Sequence, residues 1–97
     1  MEPQIPTIGR TVHYVLKAED LPEGKKHNAG QERPAVITRT WHQDEAHGLT
    51  TDCVQLTVFL DGANDTLTDK DSPLLVKSSV EGSSGPVDGC WHWPERI

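Results

Sequence analysis

The sequence predicts an all-β domain, a small five-stranded SH3-like barrel with long loops. Three observations carry this. Residues 53–60, CVQLTVFL, alternate strictly, with Val54, Leu56, Val58 and Leu60 on one face and Gln55, Thr57 and Phe59 on the other, the pattern of a half-buried strand. Other short apolar runs are punctuated by Gly, Pro, Asp and Asn. No stretch between them carries a helical stripe. An OB-like barrel and an open sandwich are the alternatives. An OB barrel places a helix after its third strand, and residues 61–73, DGANDTLTDKDSP, read as unhelical.

In chain order, residues 1–9 hold two prolines and a glycine and read as an extended arm. The first strand spans 10–16, with Val12, Tyr14 and Leu16 on one face and Thr11, His13 and Val15 opposite. Residues 17–33 form a long polar connection, of a length more often functional or mobile. The second strand, PAVITRTW at 34–41, places Ala35, Ile37, Arg39 and Trp41 on one face. Pro34 suits a strand start, where no ladder donor is needed. A polar loop at 42–52 leads to the third strand at 53–60. The fourth strand spans 74–80, and its Leu74-Leu75-Val76 run predicts cover on both faces at its start. A Gly-Ser-Ser-Gly-Pro turn precedes a short fifth strand at 90–93, stopped by Pro94.

Ninety-seven residues make one domain, 1–97, with room for one modest core. The apolar fraction of 34% lies below the roughly 45% usual for globular domains. A thin core follows, and oligomerisation would relieve it. The net charge of −6 weighs against nucleic acid and anionic membrane surfaces as partners. The basic cluster Lys25-Lys26-His27 falls in a loop. Cys53 and Cys90 form no CxxC pair and read as buried thiols, with a disulfide open if their strands are neighbours. No apolar run reaches the ~18 residues of a membrane span, so the expectation is a soluble protein made in the cytoplasm.

No stretch carries a catalytic or cofactor signature. His42 and His47 bracket Asp44 and Glu45, but without a converging third ligand. Asp61, Asn64, Asp65, Asp69 and Asp71 offer oxygens for a divalent cation, yet their spacing misses the EF-hand pattern and matches ordinary turn chemistry. The expectation is no metal, no cofactor and no catalysis. The aromatics are the better lead. Trp91 and Trp93 share one face of the last strand, and His92 points to the other. They either seal the core or present a stacking surface. Arg39 beside Trp41 offers a guanidinium next to an indole, a seat for a planar anion. His13 and His92 both lie on strands and can reach one surface. The candidate ligand-binding set is therefore Arg39, Trp41, His13, Trp91, His92 and Trp93.

Residues 9–16 (GRTVHYVL), 33–37 (RPAVI) on to Arg39 and Trp41, 54–65 (VQLTVFLDGAND) and 91–95 (WHWPE) together resemble small proteins of tailed bacteriophages and prophages. The likeness covers most of the chain, and WHWPE is its most specific piece. It implies a phage origin and a compact β fold, and it carries over no catalytic residue. The long loops at 17–33 and 42–52 depart from that pattern.

These readings lead to an expected phage accessory protein that binds without catalysis. Its partner would be a small anionic, nucleotide-like ligand or a host protein, captured in the host cytoplasm to counter host defence. A homo-oligomer would help so small a domain enclose a ligand. The alternative is a structural virion component, a capsid decoration or a head–tail or tail accessory protein, which predicts contacts made by loops and no concave pocket. A small hydrolase would need paired carboxylates or a His–carboxylate dyad converging in a cleft.

Overall fold

The computed structural model describes residues 6–40, 53–67 and 72–94. Trp41, the 42–52 loop with His42 and His47, Asp69 and Asp71, and residues 1–5 of the arm lie outside the described residues. Five strands are present: β1 (Thr11–Val15), β2 (Glu32–Thr40), β3 (Val54–Phe59), β4 (Leu74–Val80) and β5 (Trp91–His92). They form one antiparallel sheet in the order β4-β3-β2-β1-β5. The all-β expectation holds. Closure into a barrel does not, because β4 and β5 are the two ends of an open sheet. They approach through one parallel bridge, Gly82 to Trp91, just beyond β4. There the Trp91 N–H donates to the Glu81 carbonyl at 3.0 Å, and the Ser83 N–H donates to the Trp91 carbonyl at 2.8 Å. A two-residue β5 is too short to extend that bridge into a ladder.

The core follows the alternation of the strands. Val54, Leu56 and Val58 of β3 are fully buried, as are Ala35 and Ile37 of β2 and Val12 and Tyr14 of β1. Leu16, Leu21, Val80 and Trp91 complete the cluster. Burying side chains of this size contributes about 1.5–3 kcal/mol each, which is how a chain with few apolar residues holds a core.

Two bulges redirect side chains. Ile37 pairs with Leu56 but Arg39 pairs with Gln55, so Thr38 is the extra residue of β2. A one-residue slip moves every later side chain to the other face. Arg39 therefore leaves the core face on which simple alternation places it, and lies exposed beside Gln55. The second bulge lies between the Val54–Val80 and Leu56–Lys77 pairs, where Ser78 and Ser79 face Gln55. Ser79 takes a φ of 54°, a conformation that L residues rarely adopt.

Two further expectations are corrected. The start of β4 is not covered on both faces: Leu74 is 45% and Val76 65% exposed, because β4 is an edge strand with Val76 on the outer face. The 61–73 segment contains one turn of helix, α1 (Gly62–Asp65). The 17–33 connection is long, as the sequence indicates. It folds into two single 3-10 turns, Ala18–Asp20 and Lys26–Asn28, and sends Leu21 and Asn28 inward. Lys26 of its basic cluster caps backbone, donating to the Ala18 and Leu21 carbonyls at 2.9 and 3.1 Å. Cys53 and Cys90 are half-buried thiols not joined in a disulfide, and the strands they precede, β3 and β5, are separated by β2 and β1. No helix among the described residues is long and apolar enough to cross a membrane.

Candidate functional site

The sheet brings chemistry together where β1, β2 and β5 meet. β1 lies between the other two, and His13 pairs directly with His92 of β5. On its other side β1 pairs Val15 with Glu32, so Glu32 sits one diagonal step from His13 on the same face. The two imidazoles meet edge to face with centroids 5.6 Å apart. Both approach one carboxylate oxygen: His13 Nδ1 lies 3.3 Å from Glu32 Oε1, and His92 Nε2 lies against the same atom. These residues line a cleft of about 320 Å³ together with Trp93, Pro94 and the turn at 84–86. That turn is held by the Ser83 hydroxyl, which donates to the Gly85 carbonyl at 2.5 Å.

The state of His92 follows from its neighbours. Its Nδ1 lies 2.9 Å from the Trp93 carbonyl oxygen, which can only accept. Nδ1 therefore carries a proton. The side chain is only 9% exposed. Its Nε2 is buried and makes no well-directed hydrogen bond, although it touches the Glu32 carboxylate. In the neutral ring this nitrogen would aim a lone pair at an anionic oxygen. A positive charge at this nitrogen removes that conflict.

Trp93 forms the aromatic side of the cleft. Its ring meets Trp91 at 5.2 Å, nearly perpendicular. The Arg10 guanidinium carbon lies 5.1 Å from its centroid, within cation–π range. Trp91 itself is 3% exposed and belongs to the core, whereas Trp93 is partly buried, packing against the core while it lines the cleft. Among the expected site residues, the structure unites His13, His92 and Trp93. Arg39 is not among the cleft residues; it lies five positions along β2 from Pro34, the partner of His13, roughly 16 Å away at about 3.3 Å per residue. Trp41 lies outside the described residues. Glu32 was missed because its residue type and polar context place it in the connection, whereas β2 begins two residues before Pro34.

A second polar cluster braces the site from behind. Asp65 of α1 is buried, and Arg33 grips it with two bonds, Nε to Oδ2 at 2.8 Å and Nη2 to Oδ1 at 2.9 Å. The Asn28 amide donates to Oδ1 at 3.0 Å and the Asp61 backbone N–H to Oδ2 at 2.6 Å. Arg33 above all holds the Asp65 carboxyl down at about 2, and the guanidinium is raised in return. Asp65, a candidate cation ligand by sequence, is thus a structural acceptor that fixes the DGAND turn. Because Arg33 follows Glu32, the same clamp anchors the start of β2 and the cleft carboxylate. Asp20 plays a parallel role: the Tyr14 hydroxyl donates to it at 2.5 Å and Lys77 Nζ at 2.8 Å, tying β1 and β4 to the first 3-10 turn. Burial first, and then Asp20, raise the Tyr14 phenol far above its ordinary range.

No protein family, curated protein or solved structure matches the chain.

Proposed function

We propose that this protein is a phage accessory binding protein, and that the cleft walled by His13, Glu32, His92 and Trp93 is its ligand seat. The convergence of these four side chains at a concave surface carries the reading. Small-ligand sites are concave, largely apolar and set with a few convergent polar groups; here Trp93, Pro86 and Pro94 supply the apolar part. Both imidazoles are directed at one carboxylate. A hydrolase retains in its favour the His–carboxylate geometry that such an enzyme needs.

A small anionic, nucleotide-like molecule remains the proposed ligand. Arg10, stacked on Trp93, brings positive charge to the aromatic side, and Trp93 offers a planar contact. Phage origin and action in the host cytoplasm rest on the WHWPE-centred resemblance. A second copy packed over the open side would complete the enclosure. The sheet, with its Gly82–Trp91 bridge, is read as an open variant of an SH3-like barrel.

Native mass spectrometry of protein purified from phage-infected host cells tests this reading. A retained small-molecule mass is the expected result. Bare protein found in purified virions would overturn it.

The alternative, a structural virion component, is favoured by one observation. Phe59, Leu74 and Val76 are 45%, 45% and 65% exposed together on the outer face of β3 and edge strand β4. Such a face suits contacts with another protein.

A further inference from the structure

We infer that His13, Glu32 and His92 form a binding site for a divalent first-row transition metal ion, with Zn²⁺ the best fit to the donor set. The proposal does not depend on which ligand the cleft takes.

Four observations meet here. One ligand atom from each of the three residues lies within 4.8 Å of the other two. A tetrahedral ion at about 2.0–2.1 Å from its ligands needs donor atoms roughly 3.3–3.4 Å apart; His13 Nδ1 and Glu32 Oε1 are 3.3 Å apart, while His92 Nε2 lies closer than that to the same oxygen, so the half-exposed Glu32 carboxylate must draw back to admit the ion. The His92 Nδ1–H bond to the Trp93 carbonyl fixes the tautomer that leaves Nε2 as donor, the usual supporting bond of a ligating histidine. Nε2 is buried, lacks a hydrogen bond and faces the carboxylate, so an ion bound there gives it the partner it lacks.

The scaffold suits the task. His13 and His92 are a direct cross-strand pair, and Glu32 is held at the start of β2 by the adjacent Arg33–Asp65 clamp. Two imidazoles and one carboxylate are intermediate donors that favour Zn²⁺ and its neighbours over Ca²⁺ or Mg²⁺. Three protein ligands leave a fourth position, and the cleft lies beside it. An anion entering there would meet a metal rather than a bare carboxylate.

The test is isothermal titration of the chelator-treated full chain with Zn²⁺ alone, repeated with Co²⁺ for its visible spectrum. We expect one ion per chain, a tetrahedral Co²⁺ spectrum and perturbed His13 and His92 imidazole signals by NMR. His13→Ala and Glu32→Gln, both at partly exposed side chains, should each weaken binding at least tenfold, on the order of what even supporting residues contribute to metal sites. Circular dichroism confirms that these variants fold, and His92→Ala is added if it folds as well. His27→Ala and the double variant His42→Ala/His47→Ala should leave affinity within about twofold. Absence of stoichiometric binding by the wild type overturns the proposal. So does binding that survives His13→Ala and Glu32→Gln, or that is lost only in His42→Ala/His47→Ala.

Discussion

Replacing Asp65 with Asn leaves the shape of the side chain almost unchanged and removes its charge. In the folded chain that carboxylate accepts two bonds from Arg33, one from Asn28 and one from the Asp61 backbone, with essentially no exposure to water. An amide keeps one oxygen and turns its nitrogen toward a donor. Arg33, only 11% exposed, then loses its counter-charge. Breaking one side of a buried pair costs about 3–5 kcal/mol. The lower end applies because Arg33 keeps its bonds to the Glu32 carbonyl and the Gln31 amide oxygen at 3.0 and 2.9 Å. A loss of about 3 kcal/mol is a large part of the roughly 5–15 kcal/mol available to a domain of this size. At about 4–8 °C per kcal/mol, the melting temperature should fall by roughly 12–24 °C.

The acid limb gives an independent check on the same residue. The folded Asp65 carboxyl titrates at about 2, below its unfolded value of 3.8. Its contribution is therefore fully present above about 4 and is lost as pH falls through about 2, an amount of about 2 kcal/mol by linkage. Urea denaturation of the wild type between pH 5 and about pH 2 should show that loss, and Asp65→Asn should lack it. A variant that melts within a few degrees of the wild type and keeps the same acid limb would refute the clamp.

Other predictions follow from the same structure. The single tyrosine can be followed alone by ultraviolet titration. Its folded phenol is raised above the ordinary value of 10.0, so its contribution holds below that value and is lost above it; tyrosinate should appear only as the chain unfolds, and Tyr14→Phe should cost about 1.5 kcal/mol in urea denaturation. Ser79→Gly should be neutral to about 1 kcal/mol stabilising, because Ser79 holds a φ of 54°, whereas Ser79→Val should destabilise by about 1–2 kcal/mol in thermal melts. Val76→Glu, at a side chain 65% exposed, should change monomer stability by less than about 0.5 kcal/mol; loss of an assembled species in light scattering would support the structural-virion alternative.

The alternation of β3 and the inward faces of β1 and early β2 were legible in the sequence because a strand with one buried face writes its period into residue type. The bulges were not. Thr38 shifts the register without any Gly or Pro to mark it, so Arg39 reads as inward while lying outside. The exposure of Leu74 and Val76 was hidden for a related reason: residue type does not say that β4 is an edge strand. His13, His92 and Trp93 were visible as strand residues, but their meeting with Glu32 depends on β1 lying between β2 and β5. Glu32 carries no local signal at all, since a glutamate beside Arg33 and Pro34 reads as loop. The Arg33–Asp65 clamp joins residues 32 positions apart, so neither partner marks the other locally.

Side-by-side native mass spectrometry of the wild type and a His13→Ala/Trp93→Ala variant, both purified from infected host cells, tests the cleft most directly. These two residues line the cleft without being fully buried. We predict that the wild type retains a small-molecule mass and that the folded variant is bare. An identical adduct on both proteins, or none on either, would contradict the assignment of the His13–Glu32–His92–Trp93 cleft as the binding seat.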